Sequence, residues 1–223
     1  MPSQETIFLQ SEGDAWFRRN RCALDPAQRE DSDYPLSLLH AYHLRPRRVL
    51  EVGCSNGWRL HALHQRYGCA GVGVEPSAEA IAAGRSQFPA IEFRLGVAAS
   101  LPCPPGETFD VVIVYFVLHW VDRKALLASL AEIDRVVADG GYVILGDFLP
   151  DAPHRNRYDH RSDVEVYTYK LDYAAVLEST ALYTNVAHLT FDHDRHEYTG
   201  AVGAAARGVC QLLRKSTSEF YRS

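Results

Sequence analysis

The residues of this 223-residue chain best suited to binding chemistry surround a glycine-rich turn, Gly53-Cys54-Ser55-Asn56-Gly57. The turn follows an apolar run (Val49–Val52) that predicts a buried strand, and it leads into a helix. Because glycine has no Cβ, backbone N–H groups here can approach a ligand closely. Glu75 stands 22 positions after Gly53, at the end of a second apolar run. A carboxylate at this spacing is the expected partner of a ribose diol, although a solvated charge at a strand end is the simpler alternative.

Two further side chains suited to chemistry follow the predicted fourth strand. His119 is the candidate general base, since histidine titrates near neutral pH. Tyr115 is closer to the strand end and is expected to contact a bound molecule. Both have structural alternatives: a pocket wall or helix start for the His-Trp pair, and ring packing for the tyrosine.

Alternating strands and helices position these residues. Strands are predicted at 49–52, 69–75, 91–95, 109–114 and 142–148, with two late strands at about 182–191 and 207–214. Asp122 is predicted to cap the helix before the fifth strand, and Gly140-Gly141 to end it. This pattern demands an α/β fold: a doubly wound, mostly parallel sheet of seven strands with a terminal antiparallel hairpin.

Four segments together resemble the class I methyltransferases that use S-adenosylmethionine. The turn from Glu51 to Gly57 is similar to the family's acidic-x-Gly-x-Gly-x-Gly motif, and Glu75 matches its ribose-binding acid. Phe109-Asp110-Val111-Val112 and Arg135-Val136-Val137 with Gly140-Gly141-Tyr142 match the fourth strand and the join into the fifth. The matching stretch covers about residues 46–148, and the resemblance implies a Rossmann-like fold.

The resemblance also implies a cofactor site for S-adenosylmethionine. The methionine end would lie over Gly53, Cys54 and Ser55, with Glu51 orienting its ammonium group. Two departures from the family pattern matter: Ser55 replaces the middle glycine, and Val97 replaces an aspartate that meets adenine. Adenine recognition is then expected from backbone groups of Val97 and Ala98, with Pro76 against the ring. The remaining cofactor contact is expected from Tyr115.

The flanking segments are interpreted as acceptor-binding elements. Residues 1–45 are predicted to form a helical N-terminal cap, and residues 46–223 the methyltransferase domain, with an acceptor-shaping insertion at about 149–171. The expected acceptor-binding residues are Trp16, Arg19, Arg157, Tyr158 and His160. Packing for the tryptophan, and a solvated loop for the insertion, are the alternatives.

Composition narrows the functional class. A net charge of −5 argues against a nucleic-acid partner, and no apolar run is long enough to span a membrane. The start of the chain lacks a signal peptide, so a cytoplasmic location is expected. The five cysteines form no metal-binding spacing, and Asp192-His193-Asp194-Arg195-His196 is expected to be a charged connection, so no metal site is predicted. A homodimer is compatible with the sequence.

The sequence therefore predicts methyl transfer from S-adenosylmethionine to a small molecule. A fainter resemblance to methyltransferases of bacterial surface-polysaccharide and sugar biosynthesis favours a hydroxyl of a sugar or nucleotide sugar. One rival is a nicotinamide-dependent oxidoreductase, whose fingerprint requires G-x-G-x-x-G where this chain has G-x-x-x-G. The other is a catalytically silent cofactor-binding module.

Overall fold

The computed structural model describes residues 3–24, 32–161, 163–199 and 201–218. Residues 1–2 and 25–31 of the predicted N-terminal cap lie outside this range. The described N-terminal segment is helical: α1 (Gln4–Ile7), a π-helical turn (Phe8–Glu12), α2 (Gly13–Asn20) and, beyond the gap, α3 (Tyr34–Ala41).

An eight-stranded sheet forms the centre of the molecule. Its first five strands are β1 (Arg48–Val52), β2 (Ala70–Glu75), β3 (Glu92–Leu95), β4 (Phe109–Tyr115) and β5 (Val137–Phe148). The later strands are β8 (Tyr183–Asp192), β9 (Glu197–Tyr198) and β10 (Arg207–Lys215). The order across the sheet is β3-β2-β1-β4-β5-β10-β8-β9, parallel from β3 to β5 and antiparallel beyond it. A separate hairpin pairs β6 (His154–Arg157) with β7 (Tyr167–Lys170).

Helices cover both faces of the sheet, as the alternation of strands and helices predicts. They are α4 (Trp58–Tyr67), α5 (Ala78–Gln87), α6 (Leu126–Val136) and α7 (Tyr173–Glu178). Side chains of α3, α4 and α5 share one core with Val49 and Ile113, while those of α6 and α7 share the other with Leu50 and Val112. Neighbouring residues of one strand thus belong to opposite layers, which is the period of a strand buried on both faces.

The expectation of seven strands is wrong by one. The added strand, β9, pairs with the end of β8, with Phe191 opposite Tyr198. Asp192 makes this possible because its side chain accepts hydrogen bonds from the N–H groups of Asp194 and Arg195, which folds the chain back within four residues. A strand of two residues shows no periodicity, so the sequence pattern could not reveal it.

Two local predictions around α6 are also wrong. Asp122 does not cap this helix; its carboxylate accepts from the N–H of Lys124, and α6 begins at Leu126. Gly140-Gly141 lies inside β5 rather than at the end of the helix. Gly140 has φ +75°, and the register between β4 and β5 shifts nearby, so these glycines form an irregularity in the strand.

The N-terminal segment and the insertion meet above the carboxyl ends of the parallel strands. The Gln4 amide donates to the carbonyls of Trp120 and Tyr167 and accepts from the N–H of Tyr167. This side chain therefore joins α1, the 3₁₀ turn Leu118–Trp120 and β7. Within the described residues, no helix is long and apolar enough to cross a membrane.

Candidate functional site

In the turn between β1 and α4, glycines let the backbone approach neighbouring residues closely. Gly53 and Gly57 have φ of +73° and +76°, and Ser55 has φ +51°. A Cβ on Gly53 would lie 2.4 Å from Cγ2 of Val117, so this position accepts only glycine without rearrangement. The Gly53 N–H donates to the carbonyl of Val74, which fixes the turn against β2.

Glu75 closes this turn from the end of β2. Its two carboxylate oxygens accept from the N–H of Ser55 at 2.9 Å and of Ser77 at 3.0 Å. The residue is 8% exposed, and burial raises the pKa of its carboxyl to about 7, against the opposing effect of the two N–H donors. The acid thus links the glycine-rich turn to the start of α5.

A first cavity, called here the Glu75 cavity, opens beside that carboxylate. The N-terminal segment and the ends of β1 to β4 line it: Glu5, Phe8, Gly13, Trp16, Val52, Gly53, Ser55, Glu75, Pro76, Gly96, Val97, Ala98, Phe116, Val117, Trp120 and Val121. The lining gathers Glu75, Pro76, Val97 and Ala98, the residues predicted for the ribose and adenine. The Val97 carbonyl already accepts from the N–H of Ser100.

A second, larger cavity, the His119 cavity, lies on the other side of the turn. Three predicted residues line it beside the turn: Glu51, Tyr115 and His119. Aromatic rings form much of the rest, together with polar side chains: Trp16, Asn20, Asp33, Tyr34, Trp58, Arg59, Phe116, Trp120, Phe148, Phe191, His193 and His196. The two cavities share Trp16, Gly53, Ser55, Phe116 and Trp120, so they meet at the turn.

His119 is held by an acid that the sequence analysis missed. Its Nδ1 lies 3.0 Å from Oδ1 of Asp147, and its N–H donates to Oδ2 of the same carboxylate at 3.1 Å. Both residues are buried, at 4% and 1% exposure. Asp147 is near the end of β5, beside β4, so the parallel pairing brings the two together. The arrangement leaves Nε2 as the ring nitrogen that is able to take up a proton.

Glu51 is also paired, with a cation that the sequence analysis did not single out. Its Oε1 accepts from the guanidinium of Arg59, on the first turn of α4. The same guanidinium forms hydrogen bonds of 2.8 to 3.1 Å with both carboxylate oxygens of Asp33. No spacing rule marks these residues, because their proximity depends on how α3 packs over β1 and α4.

Phe116 joins the two cavities in an uncommon backbone conformation, with φ +56°. Its ring contacts those of Tyr115, His119, Phe148, Phe191 and His193. A left-handed conformation costs a bulky residue about 1–3 kcal/mol. Residues in such conformations are concentrated at functional sites. The sequence carries no signal for it.

The side chains of Tyr115 and Cys54 each pack directly against a glycine on a neighbouring strand. A Cβ on Gly146 would lie 2.2 Å from the Tyr115 ring, and a Cβ on Gly73 would lie 2.4 Å from the Cys54 sulfur. Burial raises the pKa of the Tyr115 hydroxyl and of the Cys54 thiol, so both stay protonated at neutral pH. Both line the His119 cavity.

The five residues expected to bind the acceptor are not brought together. Trp16 lines both cavities. Arg19 and Tyr158 instead hydrogen-bond each other at 2.6 Å and share the buried carboxylate of Glu12. This contact fastens the insertion to α2. Arg157 and His160 are exposed and line neither cavity.

The predicted charged connection after β8 lies at the His119 cavity. His193 and His196 line it, and the ring centroids of His193 and Phe148 are 4.8 Å apart. Burial lowers the pKa of His193, which favours the neutral imidazole. Among the described residues, no group of three or more possible metal ligands comes together.

Parts of this chain are similar to known methyltransferases. Residues 49–141, from β1 into β5, match a family model described as a methyltransferase domain. A malonyl-(acyl-carrier protein) O-methyltransferase of Halorhodospira halophila is 31% identical over 133 residues, which are 58% of this chain and 44% of that protein. A trans-aconitate 2-methyltransferase of Delftia acidovorans is 31% identical over 117 residues, 52% of this chain and 41% of that protein. The chain thus spans less than half of either relative.

A solved structure shows the same fold over most of the chain. The 1,6-didemethyltoxoflavin-N1-methyltransferase of Burkholderia thailandensis, with S-adenosylhomocysteine bound, superposes with a TM-score of 0.67. The match covers 95% of this chain and 88% of that one at 19% identity. The fold prediction is confirmed, apart from the additional strand. Residues 49–141 are therefore similar to a methyltransferase domain, and the chain shares the fold of that solved methyltransferase.

The residues present fit this cofactor. Gly53, which has no side chain, lines both cavities, and the Glu75 cavity presents a buried carboxylate where a ribose is expected. Within the described contacts, Oε2 of Glu51 is buried and has no hydrogen-bond partner, as a site for a cationic group requires. The relatives methylate different acceptors, so the comparisons do not decide the acceptor.

Proposed function

We propose that this chain transfers a methyl group from S-adenosylmethionine to a hydroxyl group of a small molecule held in the His119 cavity. The observation that carries the proposal is the buried His119–Asp147 pair in a cavity that meets the Glu75 cavity at the glycine-rich turn. A hydroxyl acceptor gains from a base that removes its proton.

Different residues hold the two ends of the donor in this proposal. Glu75, Pro76 and the backbone of Val97 and Ala98 hold the adenosine end of the donor, and the turn with Glu51 holds its amino-acid end. When bound, S-adenosylmethionine would supply an electrophilic methyl group, because its sulfonium can leave as the neutral thioether of S-adenosylhomocysteine. Trp16 and Phe116 line both cavities, so two apolar rings stand at the junction where the methyl group would pass.

His119 acts as the general base. The Asp147 carboxylate lies against Nδ1 and the backbone N–H, which orients the ring. Nε2 is then the atom that accepts the proton of the acceptor hydroxyl, and Asp147 stabilises the resulting imidazolium. The aromatic rings of Phe116, Trp120 and Phe148 around His119 restrict its rotation.

We propose a sugar hydroxyl as the first acceptor class to test. A wall of aromatic rings interrupted by a few polar side chains is typical of small-molecule sites, and it suits a ring with apolar faces and polar edges. Among the described residues that line the His119 cavity, Arg59 is the only arginine and none is a lysine, and Asp33 and Glu51 both engage its guanidinium. Among the described lining residues, this leaves no unengaged arginine or lysine for a phosphate. The cavity therefore favours a neutral sugar over a nucleotide sugar.

The experiment is a measurement of S-adenosylhomocysteine formed in the presence of neutral glycosides, nucleotide sugars and phenols. We expect His119→Asn to lower kcat by about 10²–10⁴-fold on the acceptor that reacts fastest, because a general base contributes about that much. Asp147→Asn should lower it in the same direction. Binding of S-adenosylhomocysteine should stay unchanged in both variants, since this proposal places neither His119 nor Asp147 against the donor.

His40→Asn is the matched control, because His40 is exposed on α3 and lines neither cavity. Equal turnover by His119→Asn and His40→Asn would remove His119 as the base. Binding of S-adenosylhomocysteine with no turnover of any acceptor would instead favour a silent cofactor-binding module.

A further inference from the structure

Three buried charged side chains meet beneath the glycine-rich turn. Asp33, Glu51 and Arg59 are 7%, 1% and 7% exposed, and they come from the start of α3, from β1 and from the first turn of α4. Arg59 donates to both carboxylates. Asp33 also accepts from the N–H of Leu36 at 3.0 Å and so caps α3. The cluster therefore ties α3 to the methyltransferase domain.

When both carboxylates are ionised, the cluster has one more negative charge than positive. Two carboxylates face one guanidinium, and within the described contacts Oε2 of Glu51 is buried without a hydrogen-bond partner. A buried acceptor left unpaired is costly, so native structures rarely keep one without a purpose. Burial raises the pKa of Glu51 to about 7 although Arg59 opposes the shift. The site lacks a second cationic donor.

The location of the cluster indicates which cationic group would pair with Glu51. All three residues line the His119 cavity together with Gly53 and Ser55, where that cavity meets the Glu75 cavity. A molecule of S-adenosylmethionine whose ribose lies at Glu75 would have its amino-acid end near this turn. An ammonium group there would supply the missing positive charge.

We propose that Asp33 and Arg59 are positioning residues that hold Glu51 as the receptor for the ammonium group of the donor. This inference rests on the proposed function. Arg59 fixes one oxygen of Glu51 and leaves the other for the ligand, while Asp33 engages the remaining side of the guanidinium. Asp33 precedes the segment matched to the methyltransferase model, so the N-terminal part of the chain takes part in donor recognition.

A purely structural ion-pair cluster is the competing explanation, since breaking one buried pair destabilises a protein whatever it binds. The two explanations differ in which ligands they affect. S-adenosylhomocysteine carries the amino-acid end, whereas 5′-methylthioadenosine has the same adenosine and thioether without it. Only loss of the ammonium receptor changes the ratio of their affinities.

The test is titration calorimetry of the full chain with both ligands. We expect Asp33→Asn and Glu51→Gln each to weaken S-adenosylhomocysteine by about 10- to 100-fold, as for the loss of a hydrogen bond to a charged group. The affinity for 5′-methylthioadenosine should stay within about twofold, because the Glu75 cavity is intact. Arg59→Lys should give an intermediate loss, since an ammonium keeps the charge but cannot reach both carboxylates in the same way.

Glu51→Gln keeps the shape and the acceptor for Arg59, so it remains informative if Asp33→Asn fails to fold. Equal weakening of both ligands, or no weakening of either, would overturn the inference and leave the proposed function standing. A parent protein that binds neither ligand would overturn the proposed function and this inference together. Glu79→Gln is the control, because Glu79 pairs with exposed Arg18 and lines neither cavity.

Discussion

Replacing Glu75 with glutamine would separate the two properties of this residue, its charge and its hydrogen bonds. The carboxylate accepts from two buried N–H groups, those of Ser55 and Ser77. Glutamine has nearly the same shape but only one accepting oxygen, and its NH₂ group would face the other N–H. One backbone donor would then lose its partner, at a cost of about 1–3 kcal/mol.

Removing the charge of Glu75 has the opposite effect on stability, and the size of this effect depends on pH. Burial raises the pKa of Glu75 from 4.5 to about 7, so the folded protein binds the proton more tightly than the unfolded chain. The stability gained from this proton is fully present below about pH 4.5 and is lost as pH rises through 7. A shift of this size corresponds to roughly 3 kcal/mol, at about 1.4 kcal/mol per pH unit.

The measurement is the free energy of unfolding in urea, for the parent and Glu75→Gln, at intervals from pH 4.5 to pH 8. At pH 4.5 the variant should be less stable by about 1–3 kcal/mol, because only the lost hydrogen bond counts. By pH 8 it should have gained roughly 3 kcal/mol relative to the parent and be about as stable or slightly more so. S-adenosylhomocysteine should nevertheless bind roughly tenfold or more weakly, since the ribose loses a charged acceptor.

The difference between the two stability curves tests the reasoning. Parallel curves for the parent and Glu75→Gln across this range would show that Glu75 does not carry the raised pKa. Glu79→Gln is the matched control, because it removes a carboxylate four positions further along the chain, whose partner, Arg18, is exposed. Its curve should follow that of the parent.

Two further substitutions test the packing around the site. Gly146→Ala would place a Cβ 2.2 Å from the Tyr115 ring, so we expect a loss of about 1–3 kcal/mol in urea unfolding and a lower kcat; unchanged stability would show that the ring moves freely. Tyr158→Phe removes the hydroxyl that donates to buried Glu12 and accepts from Arg19, so we expect a loss of about 1–3 kcal/mol with S-adenosylhomocysteine affinity retained. A clear fall in that affinity would instead support the predicted role of Tyr158 in ligand binding.

Local sequence signals located the turn and the acid that faces it. Gly53 and Gly57 adopt the positive φ values that glycine permits, and Glu75 lies where the spacing predicts. The turn follows from a backbone conformation that glycine adopts more readily than other residues. The position of Glu75 follows from the nearly constant length of a strand-helix-strand unit. The two-sided burial of β1 and β4 follows in the same way from their apolar runs.

Side chains from distant elements escaped these rules. His119 was identified as the candidate base, but its partner Asp147 stands 28 positions further along, on the neighbouring strand. Arg19 and Tyr158 were expected at a ligand and are found paired with each other across 139 positions. In each case the residue type singled out the side chain, but the sequence could not predict its partner. The partner depends on how two distant elements pack together.

The sequence by itself determined the parallel sheet, the glycine-rich turn and the position of Glu75, because each depends on neighbouring residues or on the period of a strand. Only the tertiary structure decided that β10 enters between β5 and β8, that Asp147 meets His119, and that Asp33 meets Arg59. Burying a charge is unfavourable unless an opposite charge or donor lies within hydrogen-bond distance. Which residue meets that need is a property of the folded chain, in which positions far apart in sequence become neighbours.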